Sequence, residues 1–242
     1  LPALEAVLAD IGDRADATYH LGDLVGYAPW PNEVVALLVE EGIAGVAGNY
    51  DSTVATNYKH CGCRYEDARQ EELSHLSYAW TRENTWPETK RILGGLPFRL
   101  DLRPWGGHDA GPTVTLVHGH QTLNTVYVTE DRSDDFLAKM GAGVGARAGD
   151  VVAFGHTHLP WHRIVGGVHF VNTGSVGRPK DGDWRAGYVV LDMSGDAPRV
   201  EIRRVEYDVE KAASAILAST LPGEFAEYLR TGGRSSATPN SK

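Results

Sequence analysis

The hydrophobic positions in the first two thirds of this chain alternate between helical and strand spacing. Helical spacing begins at once, because Leu4, Val7, Leu8 and Ile11 recur at i, i+3, i+4 and i+7. Short apolar runs bounded by glycine or polar residues predict strands between the helices. Alternation of this kind predicts parallel β-α-β units and an α/β fold. The predicted helices cover residues 1–11, 32–41, 66–84, 87–93 and 133–140, and the predicted strands cover 15–21, 43–47, 98–102, 113–117 and 150–154.

The last third of the chain has the spacing of β-hairpins. Strand-like runs flank Gly166 and Gly167, a pair typical of a hairpin turn. The predicted strands here cover residues 162–165, 168–172, 187–192 and 199–207, and the predicted helices cover 208–220 and 223–230. The end of the chain is rich in Gly, Ser and Thr. We therefore predict a single domain over residues 1–230, followed by a flexible tail over residues 231–242.

Composition narrows the class of protein. A chain of 242 residues is long enough to bury a core as one domain. It contains no apolar stretch of about 20 residues, so we expect no membrane insertion. The net charge of -9 argues against non-specific binding of nucleic acid.

Cys61 and Cys63 are separated by one residue, a spacing that suits neither a long-range disulfide nor a four-cysteine zinc site. We therefore predict reduced thiols and a cytoplasmic location. The oligomeric state is open, with a homo-oligomer among the options.

Metal-ligand residue types follow several of the predicted strands. Asp23, Asn49 and His156 each come directly after a glycine, His118 ends an apolar run, and His158 lies two residues beyond His156. Glycine allows the sharp backbone turn that would point these side chains into one cleft. Carboxylate, amide and imidazole groups suit Mn, Fe or Zn, and the absence of thiolate ligands argues against a purely structural zinc. The sequence therefore predicts a metal site at the sheet edge where ligands usually bind.

The order of these motifs resembles the calcineurin-like metallophosphoesterase superfamily, especially its small bacterial members of the YfcE type. That family's pattern is Asp-x-His, Gly-Asp, Gly-Asn-His-Asp, a lone His and Gly-His-x-His. Four of the five motifs are readable between Gly22 and His158, and residues 172–177 resemble the Asn-Pro-Gly-Ser stretch of the bacterial members. The resemblance implies a four-layer α/β/β/α sandwich of two mixed β-sheets, with the active site between them.

The resemblance also implies roles for the ligands. Asp23 would bridge two divalent metal ions. Asn49, His118 and His156 would complete the coordination of one metal ion, and His158 would bind the other ion. The Asp-x-His motif would supply the remaining ligands of the second metal ion. It has no counterpart in this sequence, and we expect it on a strand upstream of the first residue. The implied reaction is hydrolysis of a phosphomonoester or phosphodiester by metal-activated hydroxide. Its substrate would be a phosphorylated small molecule, with nucleotides among the candidates.

Residues beside the ligands are candidates for contacting substrate. Tyr50 stands where the family often has a catalytic histidine. A tyrosine can donate a hydrogen bond, but its pKa near ~10 makes it a poor acid-base group at neutral pH. His120 is therefore the candidate for contacting the phosphate or the leaving group. Arg178, Lys180 and Arg185 could add charge-assisted contacts to an anionic substrate.

Two other functions compete with the dinuclear hydrolase. A catalytically weak or inactive binding or scaffold protein on the same fold is suggested by Tyr50 and by the incomplete first motif. The five readable ligands favour the enzyme, because a scaffold descendant is expected to lose ligands. A mononuclear hydrolase using only Asp23, Asn49, His118 and His156 would follow if the upstream ligands were absent.

Other polar and aromatic features have ordinary explanations. The segment 61–63 flanks the cleft, binds a stray metal ion or is a loop with free thiols, and the free thiols are preferred. Trp30 either lines a pocket or packs in the core. The remaining histidines are expected at the surface or in packing: His20, His60, His75, His108, His162 and His169.

Overall fold

The protein, here a computed structural model, is described over residues 1–65, 67–103, 111–195 and 197–234. His108 and the residues after Arg234 lie outside these ranges. The helices are α1 Pro2–Ile11, α2 Pro31–Glu40, α3 Asn49–Ala55, α4 Ala68–Asn84, α5 Pro87–Gly94, α6 Asp134–Val144, α7 Val209–Leu217 and α8 Glu224–Thr231. The strands are β1 Tyr19–His20, β2 Ala44–Gly45, β3 Arg99–Leu102, β4 Val114–Val117, β5 Val151–Phe154, β6 Trp161–Val165, β7 Val168–Asn172, β8 Ala186–Asp192 and β9 Arg199–Val205.

The largest sheet has five strands in the order β3-β4-β5-β7-β6. Strands β4, β5 and β7 run parallel, and β3 and β6 flank them antiparallel. Every residue of the three central strands is buried, which explains their nearly continuous apolar sequences. The α/β fold with mixed sheets is therefore confirmed.

The remaining strands form two separate pairs. Strand β1 pairs with β2 in parallel, and β8 pairs with β9 as an antiparallel hairpin. A cavity of about 1140 Å³ is lined by both β1 and β8 and by the apolar side chains of Leu116, Val171 and Val189. The same cavity reaches Asp23 and His156. The cavity therefore extends from the edges of β1 and β8 to the predicted metal ligands.

The core consists of several apolar clusters around the sheets. The largest side chains lie between the five-stranded sheet and α6, where Phe154, Phe170, Leu137 and Met140 are each 0% exposed. Trp30 packs partly buried against the cluster formed mainly by α7 and α8 and also lines the cavity, which agrees with both of its interpretations.

Helix boundaries depart from the predictions at residues that cap the helix ends. Helix α4 begins after Asp67, whose carboxylate accepts the Gln70 N–H. Helix α6 extends to Val144 and ends at Gly145, which adopts the left-handed conformation. Helix α3 follows β2 directly and was not predicted. No helix within the described ranges has both the length and the apolar character required to cross a membrane.

We expect Phe170→Ala to lower the free energy of unfolding by about 3–5 kcal/mol, because it leaves a cavity between β7 and α6. The matched control is Ile164→Ala on the adjacent strand β6, where the side chain is 58% exposed and the loss should stay within about 0.5 kcal/mol. Urea unfolding followed by tryptophan fluorescence measures both. Equal losses for the two variants would contradict this packing.

Candidate metal centre

Four of the predicted ligands converge on one point. The Nε2 atom of His118 lies 3.1 Å from Asp23 Oδ2 and 3.2 Å from Asn49 Oδ1. The same Nε2 atom is 3.1 Å from Nδ1 of His156. These residues follow β1, β2, β4 and β5, whose carboxyl ends meet here. Potential ligand atoms of Asp23, His118 and His156 all lie within 4.8 Å of one another, a spacing that could hold a metal ion.

The backbone around this cluster takes conformations that side chains rarely adopt. Asp23, His156 and His158 have φ angles of 55°, 64° and 63°, in the left-handed region. Such conformations cost about 1–3 kcal/mol each and concentrate at functional sites. Two glycines permit the close approach of the loops, because a Cβ atom on Gly22 would lie 2.2 Å from the backbone nitrogen of Gly48. The predicted sharp turn is found at Gly22, with a φ of 84°, whereas Gly48 is extended and is needed for the close approach alone.

Asp51 holds the two ligand loops together. Its Oδ2 atom accepts the backbone N–H groups of Asp23 (2.8 Å) and Gly48 (2.9 Å), and its Oδ1 atom accepts that of Leu24 (2.9 Å). Burial and the neighbouring Asp23 carboxylate raise the pKa of Asp51 to about 6. Sequence reasoning left Asp51 without a role. The sequence did contain a signal for this role. Asp51 is the third residue of a helix that begins after Gly48, and an acidic residue at that position commonly accepts a hydrogen bond from the N-cap backbone, as in a capping box.

The hydrogen bonds of His118 direct its free nitrogen at the cluster. Its Nδ1 atom is 2.6 Å from the carbonyl oxygen of Leu21, so Nδ1 carries the proton and donates it there. Burial alone would lower the pKa of His118, but the carboxylates of Asp23 and Asp51 and the hydrogen bond to Leu21 together raise it. Burial would likewise raise the pKa of Asp23, yet His118, with His156 and the Tyr50 N–H, brings it down to about 2. Asp23 and His118 therefore favour a proton or a metal cation between them.

His156 and His158 are held in the neutral form that binds metals. Burial, followed by the charge of His118, lowers the pKa of His156 to about 4. The Nε2 atom of His156 is buried and has no hydrogen-bond partner among the described residues. Burial, with Lys180 and Arg178, also lowers the pKa of His158. His158 lies outside the closest cluster and its Nδ1 atom donates to the carbonyl oxygen of Arg178 at 2.6 Å.

The structure does not bring the Tyr50 hydroxyl to this cluster. The Tyr50 side chain is 2% exposed, and its ring packs against the rings of Tyr27 and Tyr78. Because α3 starts at Asn49, the next residue points about 100° away around the helix, towards the core. Tyr50 serves the site through its backbone instead, since its N–H donates to Asp23 Oδ1 at 3.0 Å.

The other predicted substrate contacts lie around the cluster. His120 is partly exposed, with its Nδ1 atom 2.9 Å from the hydroxyl of Thr122, so its contact with phosphate stays a prediction. The guanidinium of Arg178 lies over the ring of Tyr27 at 3.8 Å, close to His158. Arg185 is instead paired with the carboxylate of Asp183, at 2.7 Å.

The prediction of reduced thiols is wrong for this structure, in which Cys61 and Cys63 form a disulfide. Their Cα atoms are 5.4 Å apart, because Gly62 adopts a φ of 73° and turns the chain back on itself. The loop also borders the cluster, since the Asn49 Nδ2 atom donates to the Cys61 carbonyl oxygen at 3.0 Å. The segment thus contacts a predicted ligand, and its place beside the cleft stays a prediction.

Comparison with known proteins agrees with this geometry. The profile of the calcineurin-like phosphoesterase superfamily domain matches residues 1–196. An uncharacterized protein of Methanocaldococcus jannaschii, MJ0912, is 28% identical over 256 residues, which cover 96% of this chain and 93% of the relative.

Solved structures are similar over nearly the whole chain. A crystal structure of a metallophosphoesterase from Sphaerobacter thermophilus has 26% identity and a TM-score of 0.72, covering 96% of this chain and 94% of that one. The hypothetical protein PH1004 from Pyrococcus horikoshii OT3 has 21% identity and a TM-score of 0.78, covering 97% of this chain and 94% of that one. The second similarity is evidence for the fold alone.

We expect Gly48→Ala to weaken metal binding by about tenfold or more, because the new Cβ atom would lie 2.1 Å from Asp23 Oδ1 and displace that ligand. Gly177→Ala is the matched control, since a Cβ atom there has no neighbour within 4 Å among the described residues. Calorimetric titration with Mn²⁺ compares the two variants. An unchanged affinity in Gly48→Ala would show that Asp23 does not bind the ion.

Proposed function

Since this chain belongs to the calcineurin-like phosphoesterase superfamily, we propose that it is a metal-dependent enzyme that hydrolyses a phosphomonoester or phosphodiester. The observation that supports this most directly is the set of acceptor atoms around His118. With Nδ1 of His118 donating to Leu21, its Nε2 atom faces both Asp23 Oδ2 and Asn49 Oδ1. Such a buried group of polar atoms is unfavourable unless a proton on Nε2 or a cation lies among them, and a metal ion would satisfy all three atoms at once.

Divalent ions at this site would supply a water of lowered pKa and neutralise charge on the phosphoryl oxygens. The protein's own residues prepare the site for them. The carbonyl oxygen of Leu21 fixes the ring of His118, and Asp51 fixes the backbone that carries Asp23. Arg178, stacked on Tyr27, supplies a positive charge beside His158 that would orient an anionic phosphate. Mn, Fe and Zn all suit these ligands.

We also propose that a second ion lies between Asp23 and His158, completed by an Asp-x-His segment on an additional strand. The cavity lined by β1 and β8 supports this proposal, because it is walled by apolar side chains and ends at the ligands. Among the described residues, β1 and β8 each pair on one side only. Backbone groups at a buried edge need partners, and a further strand between β1 and β8 would provide them.

Hydrolysis should be detectable with chromogenic substrates. We expect turnover of p-nitrophenyl phosphate or bis(p-nitrophenyl) phosphate in the presence of Mn²⁺, Fe²⁺ or Zn²⁺. Asn49→Ala and His118→Ala should each lower kcat/KM by more than ~100-fold, because a missing ligand removes several kcal/mol of charge stabilisation. His162→Ala is the control, since that ring hydrogen-bonds His169 on the neighbouring strand, outside the metal cluster. No turnover with any of these metals and substrates would instead favour a binding or scaffold protein.

Metal counting tests the second ion. Elemental analysis should find two metal ions per chain in the native protein. One ion per chain would favour the mononuclear hydrolase, with Asp23, Asn49, His118 and His156 as its only ligands. His158→Ala should remove the second ion while the first stays bound.

A further inference from the structure

The loop of Cys61 and Cys63 determines which way the Asn49 amide faces. Asn49 is 2% exposed, and its Nδ2 atom donates to the Cys61 carbonyl oxygen at 3.0 Å and to Cys63 Sγ at 3.4 Å. With its amide hydrogens directed at the loop, Asn49 presents Oδ1 to the cluster, 3.2 Å from His118 Nε2. The opposite orientation would point N–H groups at a cation and offer it no ligand.

We infer that the Cys61–Cys63 disulfide is a positioning element for Asn49, and that its reduction by a dithiol weakens metal binding at this site. The inference rests on the proposed function for the role of Asn49 as a ligand. It assigns Cys61 and Cys63 a task that the superfamily membership does not include. Partners behind a ligand commonly change metal affinity by about 10- to 100-fold, so an effect of this size is expected.

Packing around the loop explains why the cross-link matters. The Cys61 side chain is 1% exposed, and its sulfur lies 3.7 Å from the Tyr65 hydroxyl and 3.9 Å from the Ser74 hydroxyl. A Cβ atom on Gly62 would lie 3.0 Å from Thr125 Cγ2, so the loop fits closely against the segment that follows β4. Reduction separates the two sulfurs and adds two hydrogens within this close packing. The acceptors that hold Asn49 then shift.

The chemical step is thiol–disulfide exchange with a dithiol. A thiolate of the reductant attacks Cys63, whose side chain is less buried than that of Cys61, and forms a mixed disulfide. The Cys61–Cys63 bond breaks, and its electron pair leaves with the Cys61 sulfur, which takes a proton. The hydroxyls of Tyr65 and Ser74 can donate hydrogen bonds to this departing thiolate. The second thiol of the reductant then releases Cys63 as a thiol, so the protein gains two electrons and two protons while the dithiol becomes a disulfide.

The test compares the oxidised and reduced forms of the same chain. The protein is reduced with dithiothreitol and freed of it by gel filtration without oxygen, and thiol titration should then rise from none to two per chain. We expect the calorimetric affinity for Mn²⁺ to fall about tenfold on reduction and to recover on reoxidation. In the metal-free protein, the side-chain amide NMR signals of Asn49 should shift and exchange their hydrogens faster after reduction.

A variant separates the cross-link from other effects of the reductant. Cys61→Ser/Cys63→Ser should bind Mn²⁺ about as weakly as the reduced protein and should not respond to dithiothreitol. If this variant does not fold, the comparison of the two wild-type forms is sufficient.

Three results would overturn the inference. Two titratable thiols before reduction would mean that the disulfide is absent. Unchanged affinity and unchanged Asn49 signals after complete reduction would exclude the positioning role and leave the proposed hydrolase intact. If neither the oxidised nor the reduced protein binds any metal, the proposed function is overturned, and so is the effect of reduction on metal binding. The NMR signals of Asn49 would then still report whether the loop orients the amide.

Discussion

The buried carboxylate of Asp51 is the constraint on which the site depends. It accepts backbone hydrogen bonds from Asp23 and Leu24 in one loop and from Gly48 in another. A carboxylate that is 0% exposed is tolerated only when its oxygens are satisfied, so these two loops are held in a fixed relation. The position of the Asp23 carboxylate is set by that backbone. The arrangement of the ligands is therefore set by folding, before any ion binds.

Much of the site could be predicted from the sequence, because its residues follow simple local patterns. Asp23, Asn49 and His156 each come after a glycine at the end of an apolar run, and parallel strands bring such ends to one edge. The central strands β4, β5 and β7 were also predictable, since strands buried on both faces are almost wholly apolar. Membership of the superfamily was readable for the same reason, because its motifs are these strand ends.

The rest depends on contacts that local patterns do not encode. Helix α3 has seven residues and one buried apolar pair at helical spacing, Tyr50 and Val54, which is too short a pattern to predict the helix or the inward direction of Tyr50. The pairing of Cys61 with Cys63 depends on the backbone conformation of Gly62. Strand β1 was predicted over residues 15–21 but forms a ladder only at Tyr19–His20, where it has β2 on one side and the cavity on the other.

The left-handed backbone at three of the ligands carries a consequence for how such proteins evolve. Asp23, His156 and His158 each hold a conformation that glycine would adopt with little strain. The fold thus carries strain of about 1–3 kcal/mol at each of these positions. Once selection for activity is relaxed, mutations that remove these ligands would relieve strain and could spread by drift. Lineages with inert descendants are therefore a thermodynamically accessible outcome for this architecture.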